Sequence, residues 1–246
     1  MRLELSFVLK NAKLPVDNKR IWVSFLKKAL TQCGSGRFYD RYFNGTPNKD
    51  YTFSIILPKP KFQGNTIIFE KNTMKMIFSA DDRKKTGLIF FQAFIQAKET
   101  VFPLPDGNNM ILKKIVQLPE KLITSERVVF RTVTGGGLVI RKHNRETNKD
   151  QYFSFEDEGF TEQMKEVLGY QARGAGFNFK DGESVEFIPI QCKKVLVKQW
   201  GINVDVTCGI FELQGNPELL QYFYQAGMGS RHSMGYGMLE IVAESN

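Results

Sequence analysis

CGIFELQGNPELLQYFYQAGMGSRHSMGYGMLEIV, residues 208–242, is the stretch from which the rest of the chain is best read. It opens on the end of a strand-like run. Asn216 is placed to cap a helix, Pro217 takes its first position, and Gly227 stands just past its end, the usual asymmetry of helix punctuation. The helix gives way to GMGSRHSMGYGML, residues 227–239, with Gly227, Gly229, Gly235 and Gly237 around Arg231 and His232. Residues 236–242 close the stretch as a strand. Glycines this dense permit positive φ and let the backbone approach a ligand closely. Their N–H groups can cradle a phosphate, with Arg231 adding a charge. A dinucleotide-binding loop is excluded on context, because that loop follows a strand and opens a helix, and here the order is reversed. A glycine-rich helix cap with a tight turn and a phosphate site both fit the glycines taken alone.

Upstream in the same half, residues 127–133 read as a strand, and 138–142 with 151–155 as a hairpin. A helix is predicted over 160–171, with Phe160, Met164, Val167 and Leu168 on one face, then long strands over 185–198 and 202–213. The first half has the same order. Leu3, Leu5, Phe7 and Leu9 alternate as a strand. Asp17 or Asn18 can cap a helix whose apolar face carries Ile21, Trp22, Phe25, Leu26, Ala29, Leu30 and Cys33 and which Gly34 ends. A polar, aromatic-rich loop, SGRFYDRYFNGTPNK, spans 35–49. Strand-like runs at 51–57, 66–70 and 74–79 precede a helix over 86–99, a turn at Pro103, Pro105 and Asp106–Gly107, and a strand over 109–118. Each half therefore reads as βαββαβ, the ferredoxin-like (RRM-like) arrangement, in an α+β chain of two tandem domains, residues 1–119 and 120–246. The halves share only this order of elements and not enough identity to count as a repeat.

The chain has 246 residues, 42% hydrophobic and 24% charged, which is ordinary for a globular protein with ample core. Its net charge of +8 is unevenly spread. Residues 1–120 hold 20 basic and 10 acidic residues, and the remainder 14 and 16. A basic half beside a near-neutral one points to a polyanion partner on the first half. The 21 phenylalanines can serve as core or as base-stacking surface. Three cysteines, Cys33, Cys192 and Cys208, lack metal-ligand spacing and make no disulfide framework, which favours a reducing, cytoplasmic setting. The N-terminal run reads as a strand and not a signal peptide, and no apolar run approaches a membrane span.

Residues 208–242 closely resemble the C-terminal end of the CRISPR-associated repeat-RNA endoribonucleases, the sixth family of Cas proteins in the RAMP superfamily. The shared pattern is an apolar strand, Gly-x-Pro opening a helix, a glycine pair, a short basic linker and Gly-aromatic-Gly entering the last strand. Residues 127–141 and 152–168 resemble the family as well, and the N-terminal half resembles it in element order. The resemblance implies two tandem ferredoxin-like domains and a metal-independent, cofactor-free cut within the CRISPR repeat, leaving 2′,3′-cyclic phosphate and 5′-hydroxyl ends. That chemistry needs a base for the ribose 2′-OH, an acid for the leaving oxygen and a cation near the phosphate. CRISPR repeat RNA is the expected partner, with other Cas proteins of an effector complex or a second copy of the chain as further ones and no membrane.

The family commonly carries a catalytic histidine in or just after the first helix, with a lysine and a tyrosine. Aligned on strand 51–56, Lys49 falls at the lysine position, and the histidine position falls at or beside Phe43, next to Tyr42. The two histidines of this chain, His143 and His232, lie elsewhere. Three readings follow. Tyr39 or Tyr42 with Lys49 carries a slow cleavage, since tyrosine and lysine titrate near about 10 and 10.4 and are poor bases at neutral pH. His232 acts from the glycine-rich loop, where a phosphate contact beside Arg231 suits it better. Or the chain binds repeat RNA without cutting, as a RAMP subunit of an effector complex. Lys27, Lys28, Arg37 and Arg41 are placed to line an RNA groove. His143, in RKHNR at 141–145, and GGG at 135–137 read more simply as a solvated hairpin end and a flexible connection. An RRM-type reader is disfavoured because no strand matches its aromatic signature. A small-molecule enzyme on this fold is disfavoured by the basic first half.

Overall fold

The structure, a computed structural model, describes residues 1–45, 48–199 and 201–245. The first half runs β1 (Arg2–Leu9), β2 (Lys13–Pro15), α1 (Lys19–Gln32), α2 (Tyr39–Phe43), β3 (Tyr51–Ile56), β4 (Lys61–Gln63), β5 (Thr66–Ile68), β6 (Thr73–Ala80), α3 (Thr86–Ala97), β7 (Val101–Pro103) and β8 (Asn109–Leu118). The second runs β9 (Arg127–Thr132), β10 (Ile140–Asn144), β11 (Lys149–Phe153), α4 (Phe160–Gly174), α5 (Phe179–Glu183), β12 (Glu186–Gln199), β13 (Ile202–Gln214), α6 (Pro217–Ala226) and β14 (Leu239–Ser245).

The main sheets are antiparallel, with orders β3-β6-β1-β8-β7 and β12-β13-β9-β14. Numbering only the strands of each βαββαβ unit, both orders read second, third, first, fourth. The chain is two tandem ferredoxin-like folds. The alternation of β1 turns Leu3, Leu5, Phe7 and Leu9 onto one face, where all four are buried beneath α1 and α3. Trp22, Phe25 and Leu26 of α1 meet Phe90 and Phe94 of α3 there, with Phe7 edge-on to Trp22 at 5.4 Å between ring centroids. Burying one such ring stabilises by about 1.5–3 kcal/mol. The second core sets Met164 and Leu168 of α4 and Leu219, Leu220 and Phe223 of α6 against Val128, Phe130, Phe211 and Leu213 of the sheet.

The two units meet along β3, the edge of the first sheet. Thr52 and Ser54 point away from the first core, and each hydroxyl donates to a backbone oxygen of the second half, that of Tyr236 and that of Thr134, both at 2.7 Å. Ile77, Val133 and Met238 make a small apolar seam beside them. No helix among the described residues is long and apolar enough to cross a membrane.

Several local expectations change. The helix at 216–226 is capped as read, with the Asn216 side chain accepting from Glu218 N at 2.9 Å and Gly227 past its end at φ 85°. Asn18 holds the cap position of α1, but its amide donates to the Pro15 and Val16 carbonyls while its oxygen accepts from the Trp22 indole at 3.1 Å. It fixes the chain entry and the tryptophan rather than the backbone of the first turn. The run 66–70 does not join the main sheet; β5 pairs with β2 and β4 in a small separate sheet. The supposed turn at Pro103 includes β7, which pairs with β8 at the sheet edge, where proline is tolerated. The loop at 35–49 contains α2; its Thr46 and Pro47 lie outside the described residues.

Candidate functional site

The helix α1 presents Lys27 toward the loop that follows it, and α2 turns the chain back so that Phe43 lies against that lysine. The Lys27 ammonium stands 5.2 Å from the Phe43 ring centroid, and the Lys49 ammonium 5.6 Å from the same centroid. Tyr39, one helical turn before Phe43, sets its ring 5.5 Å away, tilted by 37°. Lys49 is half-buried, and its ammonium is pushed below the ordinary lysine range, first by burial and then by the charge of Lys27. Two like charges converging on one aromatic ring repel each other, so the arrangement favours an anion between them. Phe43 occupies the place where the resemblance implies an imidazole.

Other predicted residues are held elsewhere. Tyr42 is a core residue, 2% exposed, with its hydroxyl 3.1 Å from Thr86 Oγ1 and its phenol raised by burial. Its hydroxyl faces α3 and cannot reach a substrate at Phe43, which corrects its assignment to the chemistry. Lys28 reaches the other way, over Phe102 at 5.3 Å. Arg37 folds over Phe38 at 4.6 Å. Arg41 donates to the Lys84 carbonyl at 2.6 Å and covers Tyr42. Of the four cations expected to line a groove, Lys27 is the one that reaches Phe43, where it meets Lys49 and Tyr39 of the expected catalytic set.

The glycine-rich segment is not an open loop. All four of its glycines have positive φ. Two positions show why glycine is needed. A Cβ on Gly227 would lie 2.7 Å from the Thr52 side chain, and one on Gly237 would collide with the Met228 carbonyl. Gly229 lies close under the Val139 carbonyl, and Gly235 packs beside Phe53 and the Lys19 ammonium. The segment is pressed into the junction between the units instead of standing clear to wrap a phosphate. Arg231 and His232 turn inward with it. Arg231 donates to Asp150 at 2.9 Å and to Gln199 at 3.2 Å, and its side chain is 10% exposed. His232, expected on the surface, is 8% exposed, and its Nδ1 lies 3.0 Å from the Tyr51 carbonyl, to which it donates. Burial holds its imidazole below the ordinary histidine range, against the opposing pull of the Tyr51 and Ala226 carbonyls.

Asp150 is the hub of the β10–β11 hairpin. It accepts from Arg141 at 3.1 Å, pairs with His143 Nδ1 at 2.7 Å and receives Arg231. Burial alone would raise its carboxyl, but the bonds from His143 and Arg141, with Arg231 behind them, hold it well below the carboxylate range.

One residue escaped the sequence reading. Lys19, the first residue of α1, reaches across the junction to donate to the Gly235 carbonyl at 2.7 Å and the Gly135 carbonyl at 3.3 Å, 4.0 Å above the centroid of the Tyr236 ring. Burial, only partly opposed by Cys208, brings its ammonium down to about 7. The available signal was a Lys19–Arg20 pair in the first turn of a helix, where the macrodipole disfavours cations.

The family model described as "CRISPR associated protein Cas6, C-terminal" matches residues 117–241, just over half of the chain. No curated protein matches. Among solved structures, the product of a Cas6-related gene from Pyrococcus furiosus superposes with a TM-score of 0.83 at 19% identity, covering 100% of this chain and 99% of that one. A RAMP protein binding different RNA substrates gives 0.78 at 19% identity over 99% and 100% of the two chains. A CRISPR-associated protein Cas6 gives 0.73 at 16% identity over 99% of each. At these identities the structures speak for the fold, which they share from end to end. With the family match over its second half, the chain belongs to the Cas6 family of CRISPR RNA-processing and repeat-binding proteins.

Proposed function

We propose that this chain binds precursor CRISPR RNA and cuts it within the repeat without a metal, leaving a 2′,3′-cyclic phosphate and a 5′-hydroxyl. The observation that carries the reading is the convergence of Lys27 and Lys49 on Phe43. In this reaction the ribose 2′-oxygen attacks the adjacent phosphorus, its proton leaves, and the bond to the 5′-oxygen breaks as that oxygen gains a proton. Charge develops on the equatorial phosphate oxygens, where two fixed ammoniums act most strongly. Lys49, with its lowered proton affinity, is suited to donate to the departing oxygen. Tyr39 orients the ribose or stacks on its base. No imidazole stands at Phe43 to take the 2′-proton, so that proton passes to solvent and the cut is slow. The domains are taken as residues 1–119 and 120–246, in keeping with β8 ending at Leu118 and β9 starting at Arg127.

A second reading, repeat-RNA binding without cleavage, is favoured by Phe43 itself and by the burial of His232. The two separate in an assay of the host's own repeat RNA in EDTA, beside a substrate with 2′-deoxyribose at the cut. Cleavage that persists in EDTA and stops with the deoxy substrate supports the enzyme. Tight binding with both RNAs left intact supports the holder.

A further inference from the structure

His232 belongs to the second unit, and its ring bonds to both. Its Nδ1 lies 3.0 Å from the carbonyl of Tyr51, the first residue of β3. In the sheet β3 pairs with β6 alone, and Ala80, the partner of Tyr51, gives its N–H to Met1, so the Tyr51 carbonyl points off the open edge toward the histidine. The carbonyl of Ala226, the last residue of α6, bonds to the same ring. The polar neighbours of the imidazole are therefore acceptors, one of them at a helix C-terminus, where the macrodipole favours a cation. A neutral imidazole offers one N–H to such a setting and an imidazolium two. Two things oppose the imidazolium. The residue is 8% exposed, and the Lys49 ammonium, carried two residues before Tyr51, acts on the ring from the first unit. The other charges around it are engaged: Arg231, Arg141 and His143 share Asp150, Lys19 is held by the Gly235 carbonyl, and Asp50 turns to Lys84 at 3.7 Å.

We propose that binding of an RNA phosphate at Lys27 and Lys49 is linked to uptake of a proton by His232, so that an occupied site tightens the joint between the two units. Of the two influences that oppose the imidazolium, the Lys49 charge is the one that a ligand can remove, because a phosphate beside it offsets it. The ring then takes a proton from solvent, and its bonds to the Tyr51 and Ala226 carbonyls become charge-assisted. The link is reciprocal. RNA raises the proton affinity of His232, so protonation raises the affinity for RNA by the same factor. Binding therefore strengthens as pH falls from the His232 midpoint of the bound form to that of the free form, and is level on either side of that window. The proposal rests on the RNA-binding reading above and adds how that site is regulated; it holds whether or not the RNA is cut.

The test follows the imidazole C–H resonances by NMR across pH, with and without saturating non-cleavable repeat RNA, in wild type and Lys49→Met. The chain has two histidines, and His143→Asn assigns their signals. In free wild type, His232 is expected to titrate below the ordinary value of about 6.5. Lys49→Met alone should raise its midpoint by about half a pH unit, and RNA should raise it as far in wild type but no further in Lys49→Met. The link is overturned, with the RNA-binding reading left standing, if RNA binds wild type and leaves the His232 midpoint where it was. It is overturned equally if the ring stays neutral throughout, or if Lys49→Met leaves the free-protein midpoint unmoved. Failure of wild type to bind repeat RNA at all overturns both.

Discussion

Two basic places in this molecule look alike in sequence and behave in opposite ways. At Phe43, Lys27 and Lys49 are brought together, no carboxylate among the described residues pairs with Lys49, and the charge of Lys27 adds to the cost of charging Lys49. In the glycine-rich segment, Arg231 is bound to Asp150 and Gln199, and His232 to a backbone carbonyl. The first arrangement leaves charge unspent and available to an anion. The second spends its polar groups on holding β3, the hairpin and the last strand together. A motif that resembles a phosphate loop thus serves as the joint between two folds, while the unbalanced electrostatics sit on a plain helix and the loop after it.

That contrast can be broken by substitution. Gly237→Ala is expected to have the largest effect, lowering stability by ~3 kcal/mol in urea unfolding, because a methyl there meets the Met228 carbonyl at φ 65°. A mild effect would show that the segment has room to move and could open to a ligand after all. Lys49→Ala should slow cleavage about 10²-fold in single-turnover measurements at saturating protein, with little change in the unfolding midpoint. An unchanged rate would remove the Phe43 cluster from the chemistry. Arg231→Ala is the finest probe. It should cost ~2 kcal/mol of stability through lost bonds to Asp150 while leaving the salt dependence of RNA binding nearly unaltered. A slope of log K against log salt that falls by about 1 would return Arg231 to the phosphate backbone.

Much of the architecture was legible before the structure. The alternation of Leu3, Leu5, Phe7 and Leu9, the apolar stripe of α1 and the Asn216–Pro217–Gly227 punctuation each follow from local rules, and together they impose the repeated element order. The small sheet of β2, β4 and β5 was not legible, because three-residue strands carry too little periodicity to separate from turns. In the site, Lys49 and Lys27 were named and do meet. Tyr42 was misread because one turn of α2 decides which of its aromatics faces the core. Lys19 was missed because its partners, Gly135 and Gly235, lie more than a hundred residues away along the chain.

By itself the sequence determined the long helices and the strands of the two main sheets, the double ferredoxin-like order and the family, since each rests on local periodicity, capping and a pattern confined to the last two strands and the helix between them. Only the tertiary structure decided which charges are free. Whether Arg231 or Lys49 can meet a phosphate depends on whether a carboxylate from another element is within hydrogen-bond reach, and Asp150 finds Arg231 while no carboxylate among the described residues pairs with Lys49. Charge is written residue by residue, but its availability is settled by packing across the junction between the two units.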